Sequence, residues 1–298
     1  MISSKIIILA ALSICFSLKS YALSAQSAKD IIVQFDEQNR KSYNTEAVKI
    51  KLSTCKYTVA QGSMRCTDDA RNVIYENILK RCGDNNRDTR AVAVVLEPIS
   101  DKGIGMLNYL YDDPSKDNDN WLYLSALGKV KRIVSSGDDN DESGSLFGSE
   151  FSVDESESIE TRKIDEYTYK IIGEEAYDQK LAWVIETVPT SEKTKKSRYS
   201  KFVSWIDKER YVLLKENLYD RNGKLYKQRS MRNIVKIDNV WIAKKVTMNN
   251  LSTRRATNME LISVAFNMDV SDEFLTQRTL TDFAFREKTL AKIRAKLK

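Results

Sequence analysis

The second half of the sequence sets the strongest limit on the fold. Extended segments follow one another at Glu166–Gly173, Leu181–Val188, Tyr199–Asp207, Arg210–Tyr219, Lys224–Ile237, Val240–Asn249 and Met259–Asp269. The stretches between them are short. Several carry Asn, Asp or Gly, which tolerate the positive φ that tight hairpin turns demand. Asp220-Arg221-Asn222-Gly223 is the clearest such turn and Asp238-Asn239 the next. Strands joined this way pair with their chain neighbours as an antiparallel meander. The chain holds only 3 prolines, so long strands can pair without losing ladder hydrogen bonds. In the last segment Ile262, Val264, Phe266 and Met268 are apolar while Ser263, Asn267 and Asp269 are polar, which predicts one dry face and one wet face.

The first half adds a few helices to this sheet. Ser27–Ser42 reads as an amphipathic helix, with Ser27 and Asp30 at capping-box spacing and Ile31, Ile32 and Phe35 on an apolar stripe. Extended segments are expected at Ala47–Val59, Arg90–Ile99, Gly103–Tyr111 and Trp121–Val134. Between the first two, Val73, Ile74, Ile78 and Leu79 recur at helical spacing, and an inserted helix is expected over 67–82. The C-terminal Phe285–Lys298 reads as a basic amphipathic helix with Leu290, Ile293 and Leu297 on one side, by default a solvated terminal element. The fold class expected is mainly β with α: a strongly curved antiparallel sheet, a half-barrel, covered by one or two helices.

The first residues carry a secretory-signal pattern: Lys5, an apolar run from Ile6 to Leu18, then small residues at Ser20, Ala22 and Ser24. A cleaved signal over 1–24 and a single domain over 25–298 are therefore expected. No later run approaches the roughly 18 apolar residues of a membrane helix. The chain has 48 Lys and Arg against 42 Asp and Glu, a mild excess that calls for no nucleic-acid partner. Beyond the signal lie Cys55, Cys66 and Cys82, and in an oxidising compartment Cys55–Cys66 and Cys55–Cys82 are both feasible bridges.

There are 0 histidines, which removes the usual general base near neutral pH and every Ser-His or Cys-His arrangement. No Gly-rich phosphate loop and no Gly-x-Ser-x-Gly elbow occurs. The chain is read as a non-enzyme without a cofactor. One metal pattern is present: Asp139, Asp141, Ser143 and Glu150 take the spacing of a calcium loop with Gly144 at its sixth position. The segments flanking it look extended, whereas such loops sit between helices. In a half-barrel, inward aromatic and aliphatic side chains line the cavity, and the candidates are Trp121, Tyr123, Phe151, Trp205, Trp241, Ile262, Val264 and Phe266.

Trp121-Leu122-Tyr123-Leu124-Ser125-Ala126-Leu127-Gly128-Lys129-Val130-Lys131-Arg132-Ile133, followed by Phe147-Gly148-Ser149-Glu150-Phe151-Ser152, resembles the outer membrane lipoprotein-sorting proteins of the LolA-like superfamily. Further pieces of the resemblance are Tyr199 with Trp205-Ile206-Asp207, Tyr219-Asp220 with Gly223-Lys224, Trp241, and Phe274–Leu280. Ser125 stands where the family usually has Pro, and Glu150 where it usually has Asp. The resemblance implies a LolA-like curved sheet, residence in the periplasm of a Gram-negative bacterium, and lipid or an acylated lipoprotein as cargo. It also implies association with an inner-membrane exporter of the resistance-nodulation-division (RND) type. The alternative is a non-carrier adaptor that fills the same cavity with its own side chains and scaffolds an envelope complex.

Overall fold

The computed structural model describes residues 26–133, 144–152 and 160–297. The expected signal segment lies outside them, as do Asp139, Asp141 and Ser143 of the calcium-loop pattern. The first element is helix α1 (Ala28–Ser42). Its capping box forms as the sequence requires: the Asp30 N–H donates to Ser27 Oγ at 3.1 Å, and the Ser27 N–H donates to the Asp30 carboxylate at 3.2 Å.

Strands follow: β1 (Thr45–Ala60), β2 (Ser63–Cys66), β3 (Arg71–Cys82), β4 (Asp88–Glu97), β5 (Gly105–Leu110), β6 (Asp119–Leu124) and β7 (Lys129–Ile133). The second half gives β8 (Tyr167–Tyr177), β9 (Lys180–Pro189), a helical turn α2 (Ser191–Thr194), β10 (Tyr199–Asp207), β11 (Leu213–Asp220), β12 (Leu225–Ile237), β13 (Val240–Asn250) and β14 (Arg255–Phe266). Helices α3 (Gln277–Thr281) and α4 (Phe283–Arg294) complete the described chain.

These strands form one antiparallel sheet in the order β7-β6-β5-β4-β3-β1-β14-β13-β12-β11-β10-β9-β8, with β2 paired to the outer part of β1. The sheet is open, with β7 and β8 as its edges. Two meanders are thus joined at the centre by the pairing of β1 with β14, which begins at Glu46 opposite Phe266.

The expected helix over 67–82 is a strand instead. Residues 71–82 pair with β1 on one side and β4 on the other. The doublets Val73-Ile74 and Ile78-Leu79 imitate a helical stripe because both sheet faces are covered here, so adjacent apolar residues serve opposite faces. Tyr75 and Val73 pack on one face and Ile78 on the other. The expected strand Trp121–Val134 is two strands, broken by a 3-10 turn at Ser125–Leu127 that ends on Gly128 with φ 61. Of the two feasible bridges the structure contains Cys55–Cys66, with Cα atoms 5.7 Å apart, stapling β1 to β2. Cys82 is a free, half-buried thiol.

The helices divide between the two faces. On the outer face of the β3–β6 half, Phe274, Leu275, Leu280 and Leu290 pack against Ile78, Val92, Val94 and Leu107. The C-terminal helix is therefore docked rather than solvated: Leu290 and Ile293 are buried. Arg294 also reaches β3, where its Nε and Nη2 each donate to a Glu76 carboxylate oxygen at 2.7 Å. On the inner face of the other half, α1 lays Ile31, Ile32 and Phe35 over Trp183, Ile185, Ile206 and Leu213.

Candidate functional site: an apolar groove beside a basic cleft

The inner face of the sheet is longer than its covers. Helix α1 covers the β8–β12 half. At the other end the segment 146–151 folds inward, burying Phe147 and Phe151 against Ile50, Leu52, Tyr75 and Met248. The Phe147 and Tyr75 ring centroids are 5.2 Å apart. Glu150 anchors this segment: its carboxylate accepts from Asn250 Nδ2 at 2.9 Å and Arg255 Nε at 2.8 Å, and its N–H donates to Thr257 Oγ1 at 2.9 Å. The last position of the calcium-loop pattern is thus engaged by an amide and a guanidinium.

Between the two covers an apolar groove of about 300 Å³ remains. Its walls are Phe35 of α1, Val48 and Ile50 of β1, Met231 and Ile234 of β12, Val240, Trp241, Ile242 and Val246 of β13, and Met259 and Leu261 of β14. This is the low end of the volume range of small-molecule sites, and a lining mostly apolar with a few polar groups is their usual composition. The polar groups gather where α1 meets β1: Tyr43, Glu46, Asn39 and Asn77. Burial pushes the Glu46 carboxyl up to about 7, against the opposing pull of the Arg81 charge. Burial also raises the Tyr43 hydroxyl, and Glu46 adds to that shift.

Of the residues expected to line a cavity, Trp241 does so, with the Arg210 guanidinium 5.4 Å from its ring centroid. Val264 and Phe266 face inward but are buried in the core cluster with Val48 and Ile50 rather than in the groove wall. Phe151 is buried in the core cluster with Ile50 and Leu52 and does not line the groove. Trp121 and Tyr123 pack on the outer face, against the cluster that α3 and α4 complete. Trp205 packs with Val184 and Leu214, whereas its neighbour Ile206 packs beneath α1, so Trp205 also points away from the groove.

Ile262 is 47% exposed. Its displacement has a local cause. Lys49 pairs with Ser263 and Ile50 with Leu261, which leaves Ile262 as the extra residue of a β-bulge. The bulge shifts the alternation by one, so the inward residues are Met259 and Leu261 before it and Val264 and Phe266 after it. Sequence alternation alone carries no sign of that shift.

Next to the polar end of the groove lies a second, larger cavity of about 500 Å³. It shares α1 and Glu160 with the groove, and its wall is basic. Asp36 and Arg40 of α1 face this cleft while Phe35 and Asn39 face the groove.

Residues 87–282 match the model of a family described as an uncharacterized protein, which is more than half of the chain. A search of the curated proteins finds no match. Among solved structures, a DUF1329 family protein from Desulfovibrio piger shares 22% identity, with a TM-score of 0.73 over 85% of this chain and 97% of that one. A domain from Vibrio parahaemolyticus, provisionally named as outer membrane lipoprotein-sorting, shares 25% identity, with a TM-score of 0.68 over 84% and 97%. The chain belongs to the family whose model it matches over residues 87–282. A LolA superfamily protein from Nitrosomonas europaea has the same fold at 14% identity, with a TM-score of 0.58 over 84% and 97%. The family resemblance first read from the Trp121–Ile133 and Phe147–Ser152 segments is therefore borne out, and so is the open, mainly antiparallel LolA-like sheet.

Proposed function

We propose that this LolA-like protein is a periplasmic carrier that takes a lipid, or an acyl chain of a lipoprotein, into the groove between α1 and β12–β14 for transfer towards the outer membrane. The observation that carries this reading is the unfilled apolar lining of the groove, roofed at one side by Phe35 of α1. Similarity to the lipoprotein-sorting domain from Vibrio parahaemolyticus supports it. Each buried methylene gains about 0.8 kcal/mol, so a chain is held without any covalent step. Release then requires a partner that offers a better apolar site, a role suited to an RND-type exporter or an outer-membrane acceptor.

The chemistry of the groove agrees with transport rather than turnover. Its polar residues are a tyrosine, two carboxyls and amides, and burial holds the Glu46 carboxyl up at about 7. Purification from the periplasm followed by native mass spectrometry and lipid extraction tests the proposal. A stoichiometric lipid or acylated protein, lost when Leu261→Trp fills the groove, is the expected result. A clean apo mass that stays empty when lipids are offered would overturn it in favour of the adaptor.

A further inference from the structure

The basic cleft is built where the polar end of the groove would present a headgroup. Its wall carries eleven Lys and Arg against five Asp and Glu, drawn from α1, β3, Arg87, the 111–118 loop, β7 and residues 160–198. The chain's overall excess of cations is mild, so this is a local concentration of charge in a concave site, where the field on an anion is focused. Part of it is compensated: Arg87 lies 3.1 Å from Asp36, Lys193 lies 3.0 Å from Glu166, and Lys196 lies 3.2 Å from Asp117.

Two of the cations have no carboxylate at salt-bridge distance among the described residues. Lys163 Nζ donates to the Asp113 carbonyl at 2.8 Å, and burial lowers its pKa against the opposing pull of Glu166, Asp112 and Asp113. Arg81 lies on the partition between the cavities. Its guanidinium carbon is 4.9 Å from the centroid of the Tyr43 ring, and its Nη2 donates to the Tyr43 hydroxyl at 3.4 Å. Its buried Nε has no hydrogen-bond partner. Tyr43 lines the groove and Arg81 lines the cleft, so one contact links an apolar chain site to a guanidinium that has no salt-bridge partner among the described residues. A planar donor fork of this kind suits the oxygens of a phosphate.

Resting on the carrier reading, we propose that the cleft is the headgroup site of the same ligand, and that the cargo is an amphiphile with a phosphate-bearing headgroup, held by Arg81 and Lys163 while its chain lies in the groove. The test is equilibrium binding by the purified protein, read by calorimetry at low salt, of three probes: oleoyl lysophosphatidate, monooleoylglycerol and inorganic phosphate.

Lysophosphatidate should bind at least tenfold more tightly than monooleoylglycerol, and the advantage should shrink as salt is added. Arg81→Gln and Lys163→Gln should each remove most of the advantage, read as the ratio of lysophosphatidate to monooleoylglycerol affinity in the same variant. Lys163→Gln and the salt dependence keep the test intact if Arg81→Gln does not fold. Equal binding of the two amphiphiles would overturn the headgroup site and leave the carrier reading standing. Failure of both amphiphiles to bind would overturn the carrier reading and the headgroup site with it. Inorganic phosphate binding as tightly as lysophosphatidate would mark a free-phosphate site and overturn the link to the groove.

Discussion

The outer face under α3 and α4 and the inner face between α1 and residues 147–151 are built from the same residue types, and they end in different states. Under α4 the packing is sealed: Phe274 and Leu275 are 0% exposed, and Leu280 and Leu290 are 1%. The approach is so close that a Cβ on Gly105 of β5 would come within 2.8 Å of Leu280 Cδ2. On the inner face, Ile234, Ile242, Val246, Met259 and Leu261 remain only partly buried around open volume. Apolar composition therefore decides which faces avoid water, and how completely the cover reaches across a face decides whether it becomes core or site. A core that is closed contributes stability; one left open stores binding capacity.

The comparison can be broken by experiment. Leu290→Ala in the sealed layer should cost about 2–5 kcal/mol of unfolding free energy, measured by denaturant titration, because the removed methylenes leave a cavity that cannot collapse. Glu46, at the polar end of the groove, should have a smaller and pH-dependent effect. Its folded-state pKa is raised to about 7, so between its unfolded value and 7 the native state holds the extra proton. Stability from this group is fully present below the unfolded pKa and lost as pH rises to 7, a fall on the order of 1–3 kcal/mol given its partial exposure. Glu46→Gln should flatten that fall in titrations at pH 5 and pH 8.

Arg294→Ala should cost about 1 kcal/mol, since the guanidinium is partly solvated, and should speed hydrogen exchange in α4 more than in α1. Leu261→Ala, in the open groove, should cost less than about 1 kcal/mol and instead weaken lipid capture. If Leu261→Ala proves as destabilising as Leu290→Ala, the groove is closed in solution and the distinction between the two faces fails.

Much of this architecture was legible in the chain. The boundaries of β10 are those expected, Tyr199–Asp207, and the Asp220–Gly223 turn falls between β11 and β12 with Gly223 at φ 76. The α1 capping box forms between the two residues that announce it. Local pattern succeeded wherever one local rule governed one element. It failed at β3, where two buried faces erased the alternation, and at Ile262, where a bulge reversed it. The groove itself is legible as a kind of place, yet of its lining the sequence names only Trp241, because the walls are set by where α1 crosses β1 and β12–β14. The basic cleft left no local trace, since Arg81, Arg132, Lys163 and Lys193 come together only when β3, β7 and the 160–198 region converge.

The pairing of β1 with β14 also has a consequence for assembly. Glu46 and Phe266 are partners at opposite ends of the folded region, and β14 bridges β1 to β13. During synthesis or export the first meander can form early, but it keeps an unsatisfied β1 edge until the last strand emerges. The final strand acts as a clasp, and the groove wall that Met259 and Leu261 supply does not exist before it closes. A chain stopped short of residue 255 would retain two half-sheets with open edges, a state prone to aggregation, and no groove between them.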